Sequence, residues 1–92
     1  MPGSARKDTW IMTPTEKATL IPQLRQEGNS LYLAGQWAES ATKYSQALGL
    51  LEQLELREKP GDAEWLDLER QRLPFFINLA QCQYKMKIAL NY

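Results

Sequence analysis

The stretch Leu24-Arg25-Gln26-Glu27-Gly28-Asn29-Ser30-Leu31-Tyr32-Leu33-Ala34-Gly35-Gln36-Trp37-Ala38-Glu39-Ser40-Ala41-Thr42-Lys43-Tyr44-Ser45-Gln46-Ala47-Leu48 spaces small residues and aromatics as two short antiparallel helices require. Gly28 lies one turn before Tyr32, and beyond Gly35 the small residues Ala41 and Ala47 alternate with Trp37 and Tyr44. Small residues let helices approach, and aromatics fill the gaps between them. Gly35 supplies the left-handed residue that ends the first helix. In the second, Trp37, Ala41, Tyr44, Leu48 and Leu51 recur at intervals of three and four and so form one apolar stripe. A hairpin of this kind buries too little apolar surface to fold alone, so a third helix must lie against it. Residues 63–87 provide one.

Working outward, Thr13-Pro14-Thr15-Glu16 is a helix start: the Thr13 hydroxyl can cap, Pro14 suits the first helical position, and Glu16 can return a bond to the cap. The first helix is expected over about 14–34, with a kink near Leu20-Ile21 or a restart caused by Pro22. The second is expected over about 37–58, where Pro60-Gly61 breaks it. Asp62 is placed to cap the third, which carries its own Pro74. Phe75 to Tyr84 is apolar on more than one face, and such a helix expects neighbours on both sides. The chain thus divides into a flexible N-terminal segment, residues 1–12, and a helical unit, residues 13–92.

Ninety-two residues allow one domain with a small core. Eleven Lys plus Arg balance eleven Asp plus Glu, and the isoelectric point is about 6.2, so no bulk positive field recruits nucleic acid or anionic lipid. The single cysteine, Cys82, cannot form an internal disulfide and is read as a small core residue. No apolar run is long enough to cross a bilayer, and the N-terminus lacks the apolar stretch of a secretory signal, which points to cytoplasm or nucleus.

Nothing in the chain points to an enzyme. It has no histidine, no glycine-rich phosphate loop after a strand, and no carboxylate pair in an apolar surround. Catalytic residues, metal ligands and cofactors are therefore expected to be none. Glu52, Glu55, Glu58 and Glu64 lack metal-ligand spacing and read as a solvated face.

Leu24, Gly28, Leu31, Gly35, Tyr44 and Ala47 fall in register with the tetratricopeptide repeat, a 34-residue helix-turn-helix unit, with Ser40 where that pattern usually has alanine. The implied fold class is all-α: a tetratricopeptide-type antiparallel hairpin plus a third long helix, a fragment of an α-solenoid. A closer resemblance covers residues 8 to 84. Trp10-Ile11-Met12-Thr13, Glu16-Lys17, Pro22, Gln26-Glu27-Gly28-Asn29, Glu58-Lys59-Pro60-Gly61, Glu64-Trp65, Pro74, Asn78 and Gln81-Cys82-Gln83 are similar to the family of the aryl hydrocarbon receptor-interacting protein, which are immunophilin-like co-chaperones. In such proteins further repeats follow, whereas this chain ends eight residues after Tyr84. It is expected to be a fragment, an isoform or a divergent short product with one complete repeat and the first helix of the next.

The resemblance implies recognition of the acidic Glu-Glu-Val-Asp terminus of heat-shock chaperones of the ninety- and seventy-kilodalton classes, through a clamp for two carboxylates. By position Arg25 and Asn29 match two clamp sites on the first helix and Asn78 matches one on the third; Arg25 stands where lysine is more common. Each has a plainer reading: Arg25 as a solvated surface charge, Asn29 bonded to neighbouring backbone, Asn78 satisfied by an internal bond. Two basic clamp residues of the family belong to a repeat this chain lacks. At ~1.5–3 kcal/mol for each charged contact, their loss weakens binding by on the order of a hundredfold or more. The alternative is a self-associating scaffold without tail binding, in which Phe75, Phe76, Ile77 and Leu79, with Ala80, present apolar surface and make the chain a homo-oligomer.

Overall fold

The computed structural model describes residues 11–90, which form three helices: α1, Pro14–Leu33; α2, Trp37–Glu55; and α3, Ala63–Leu90. No strand occurs among the described residues, so the fold is the all-α hairpin with a third helix that the periodicity predicts. Most of the segment expected to be flexible, residues 1–10, lies outside the described residues.

Local chemistry accounts for the boundaries. At the start of α1 the Glu16 amide donates to Thr13 Oγ1 at 3.1 Å, and the Thr13 amide donates to Glu16 Oε1 at 2.8 Å, closing a capping box. Its far end is a Schellman motif: the Gln36 amide bonds the Leu31 carbonyl at 2.9 Å and the Gly35 amide bonds that of Tyr32 at 3.0 Å. Gly35 takes a φ of 80°, a conformation that glycine adopts without strain. Pro22 does not cause a restart. It lies on the exposed side of α1 while its neighbours Ile21 and Leu24 are buried, so packing holds the helix across the missing amide. Pro74 is carried through α3 in the same way, next to the buried Phe75.

α2 ends at Glu55, three residues short of the expected end. Amides of Arg57 and Glu58 reach back only three residues, to Leu54 at 3.1 Å and Glu55 at 2.9 Å, and this tightened turn takes the chain off the helix axis. Pro60 bars Lys59 from helical geometry, and Gly61 completes the break with a φ of 93°. Asp62 then accepts the first α3 bond through its carbonyl, from the Leu66 amide at 2.9 Å. α3 continues three residues beyond the expected end, to Leu90.

The core lies along α2. Tyr44, Ala47, Leu48, Leu50, Leu51 and Leu54 are buried there, joined by Ile21 and Leu24 from α1 and by Phe75 and Cys82 from α3. α1 and α3 both pack on α2. Gly28 lets the ring of Tyr44 come close to α1: a Cβ built on Gly28 would stand 2.6 Å from Tyr44 Cε1. Beside it, Ser40 Oγ donates to the Gly28 carbonyl at 2.7 Å, and the Cys82 thiol donates to Ser40 Oγ at 3.5 Å. One short polar chain inside the apolar core therefore joins all three helices. Ser40 and Cys82 are fully buried, and each finds the partner that burial demands.

Gly28→Ala is expected to lower stability. Alanine gains about 1 kcal/mol in helix propensity, but overpacking costs ~1–3 kcal/mol, and the ring it strikes is buried on both sides. A denaturant midpoint that rises or stays unchanged would refute this close packing.

Candidate functional site

The three residues assigned to a carboxylate clamp occupy two helices. Arg25 and Asn29 are one turn apart on α1, both exposed, and Asn78 is half-buried on α3. Arg25 forms no ion pair among the described residues. Asn29 is held by its carbonyl oxygen: the Tyr44 hydroxyl donates to Oδ1 at 2.5 Å. That bond fixes the amide, and its NH₂ group has no partner among the described residues. The plainer reading, in which Asn29 bonds neighbouring backbone, is not what the structure shows.

Tyr44 is the residue that relates the two helices. Its ring meets that of Phe75 with centroids 6.1 Å apart and planes inclined at 59°, a tilted aromatic pair. Asn29 is thus tied to this aromatic contact through Tyr44, and Asn78 follows Phe75 by one turn of α3. Burial pushes the Tyr44 phenol above its ordinary pKa, which keeps it a neutral donor. Sequence reasoning placed Tyr44 in the core and missed its second role as the support for Asn29. Its polar tip on an apolar ring, facing a helix that carries an asparagine, was the available signal.

Two groups of residues depart from expectation. Phe75, read as part of an exposed apolar surface, is only 3% exposed because it packs on Tyr44, and Leu79 is half-buried against the same core. Phe76 and Ile77 do face solvent, and Phe76 lies under the Arg72 guanidinium, 5.4 Å from ring centroid to Cζ. Glu55, read as part of a solvated face, is 8% exposed. Arg72 answers it: Nη1 lies 3.4 Å from Glu55 and 2.9 Å from Glu69, and Nη2 lies 3.2 Å from Glu52. One guanidinium thus gathers carboxylates from α2 and α3. Burial and its hydrogen bond with Glu69 raise the Glu55 pKa, while the bond from Glu55 and the charge of Arg72 lower that of Glu69.

Away from these residues, an open groove of about 540 Å³ runs where the start of α1, the end of α2 and the start of α3 meet. Pro14, Ala18, Leu54, Ala63 and Leu68 line it, and Glu58, Glu64 and Asp67 rim it. That rim repels an acidic ligand. No group of His, Cys, Asp and Glu able to hold a metal ion occurs among the described residues, and none of their helices is long and apolar enough to cross a membrane.

The fold and this surface define an all-helical unit built from a hairpin and a third helix. In sequence it is similar to aryl-hydrocarbon-interacting protein-like 1 of Mus musculus and of Rattus norvegicus, with 37% identity over 84 residues, covering 91% of this chain and 26% of each relative. The protein of that name from Bos taurus is 34% identical over the same length and coverage. The chain therefore spans about a quarter of the length of these curated relatives. No family model matches it. The likeness supports the family resemblance read from the residues.

Arg72→Met is expected to destabilise the fold by ~1–3 kcal/mol at neutral pH, less than a fully buried pair would lose because Arg72 and two of its partners are partly exposed. The deficit should shrink on acidification. Glu55, with its raised pKa, stabilises the fold most when protonated, and that contribution is lost as pH rises through its folded value. Glu69, with its lowered pKa, contributes when ionised, and that contribution is lost as pH falls. Without Arg72 both effects penalise the variant most at neutral pH. Urea melts of the two proteins from pH 7 into the carboxylate range check this, and parallel curves would refute the role given to Arg72.

Proposed function

We propose that this chain is a non-catalytic protein-interaction unit of the co-chaperone type, and that it takes the acidic C-terminus of a heat-shock chaperone at Arg25, Asn29 and Asn78. The observation that carries this reading is the Tyr44–Asn29 bond. It engages the acceptor end of the Asn29 amide and leaves the donor end open, one turn from an unpaired, exposed guanidinium. A carboxylate leaving water needs such donors already in place, since ordering them on binding subtracts from affinity. Arg25 offers a planar fork suited to one carboxylate, and Asn29 offers an oriented N–H beside it. Asn78, half-buried one turn after Phe75 on α3, would supply a further amide from the second helix.

The likeness to aryl-hydrocarbon-interacting protein-like 1 supports a role in binding proteins rather than in catalysis. The acidic groove at the other end of the hairpin gives the peptide a direction: its carboxylates avoid Glu58, Glu64 and Asp67.

The test is an NMR titration of the 92-residue chain with an acetylated peptide ending in Glu-Glu-Val-Asp and with its C-terminal amide. Amide shifts at Arg25, Asn29 and Asn78 that vanish with the amidated peptide are expected. Arg25→Ala and Asn29→Ala should each weaken binding by about tenfold, the worth of one charge-assisted hydrogen bond, with helix content unchanged. Tyr44→Phe should weaken it less, through the orientation of Asn29 alone. An absence of shifts with either peptide overturns the proposal.

A further inference from the structure

α1 and α3 each pack on α2, and between their first turns the groove of about 540 Å³ opens over the end of α2. Its apolar lining is short at the sides, with Pro14 and Ala18 from α1 and Ala63 from α3. Leu54, which is buried, and Leu68, which is half-buried, complete it. Side chains this small do not close the gap between two helices, so the space suits one large apolar group.

Glu58, Glu64 and Asp67 line the same groove, and no lysine or arginine does. None of the three forms an ion pair among the described residues, although Lys17, Lys59 and Arg70 stand close by in sequence. Of the three, only Asp67 has a side-chain partner, the Gln71 amide at 2.9 Å, and a neutral amide leaves its charge uncompensated. An apolar space bordered by unpaired carboxylates selects an occupant that joins a large apolar side chain to cations.

The chain carries such a segment beside the groove. Met1-Pro2-Gly3-Ser4-Ala5-Arg6-Lys7-Asp8-Thr9-Trp10 lies outside the described residues and leads into α1 at the end that lines the groove. It holds one large aromatic, Trp10, and two cations, Arg6 and Lys7, against one acid, Asp8. Trp10 precedes Pro14 by four residues and Arg6 by eight. At up to ~3.6 Å per residue these allow about 14 Å and about 29 Å of chain, and Pro14 itself lines the groove. A tether this short also sets the effective concentration at about the millimolar level, so a modest contact suffices. We propose that the segment ending at Trp10 folds back into the groove. The indole rests on Leu54 and Leu68 between Ala18 and Ala63, and Arg6 and Lys7 face Glu58, Glu64 and Asp67. Docked in this way, the segment straps the start of α1 to the start of α3. The inference does not rest on the peptide-binding reading, because Arg25, Asn29 and Asn78 take no part in the groove.

NMR of the 92-residue chain tests it. NOEs from the Trp10 indole to the methyl groups of Leu54 and Leu68 are expected, and in a mixture of labelled and unlabelled chains they should be absent from the inter-chain spectrum. Trp10→Ala should shift the amides of Ala18 and Ala63 and leave those of Arg25 and Asn29 in place. Glu64→Lys with Asp67→Lys, both at exposed positions and with the fold checked by circular dichroism, should lower the NOE intensity about fivefold, the worth of two partly exposed ion pairs. Adding Arg6→Glu and Lys7→Glu to that variant should restore it. Absence of these NOEs, or NOEs between chains only, overturns the proposal. NOEs that the charge exchange does not move overturn the part given to Arg6 and Lys7.

Discussion

The closeness of Gly28 to the Tyr44 ring governs the rest of this structure. With no Cβ on Gly28, the ring takes the space one would fill on α1, and three consequences follow from its position. Its hydroxyl reaches Asn29 on the helix it touches. Its other side is left to receive Phe75, which brings α3 onto α2. The Gly28 carbonyl comes within reach of Ser40, and through it of Cys82. A small helical unit has few apolar residues to commit to a core, and this one sets them along α2, where one aromatic ring meets both neighbouring helices. Packing and the proposed binding geometry are coupled at that ring, because the bond that orients Asn29 is made by the residue that organises the core.

How legible this was depended on the range of the interaction. The capping box at Thr13, the left-handed Gly35 and the break at Pro60-Gly61 all lie within a few residues of sequence, and all stand where local chemistry puts them. Phase along α3 was harder. Phe75 to Ala80 reads as apolar on more than one face, and nothing local says which side meets α2; the ring of Tyr44, thirty-one residues earlier, decides that Phe75 points inward. The burial of Glu55 was equally hidden, since it depends on Arg72 arriving from another helix. Ser40 gave a usable hint. A hydroxyl in place of a small apolar residue at a helix contact needs a partner, and it finds one in the carbonyl of the glycine opposite.

For the candidate site, Arg25 and Asn29 could be placed on one face by their four-residue spacing alone. Their relation to Asn78 could not, because it passes through two aromatic side chains on two other helices. What sequence reasoning also lacked was the state of the Asn29 amide. An asparagine in a helix has several partners to choose from, and only the packed structure shows its oxygen engaged by a buried phenol.

The ends of α3 carry charges that suit a single helix. Acidic residues at the start of a helix and lysines at its end suit the partial charges of the helix termini, and α3 carries Glu64 in its first turn and Lys87 in its last. A pattern that favours one helix this way also makes it electrostatically asymmetric end to end. Within the hairpin, Glu58, Glu64 and Asp67 also line the open groove, which makes it unfavourable to an acidic ligand.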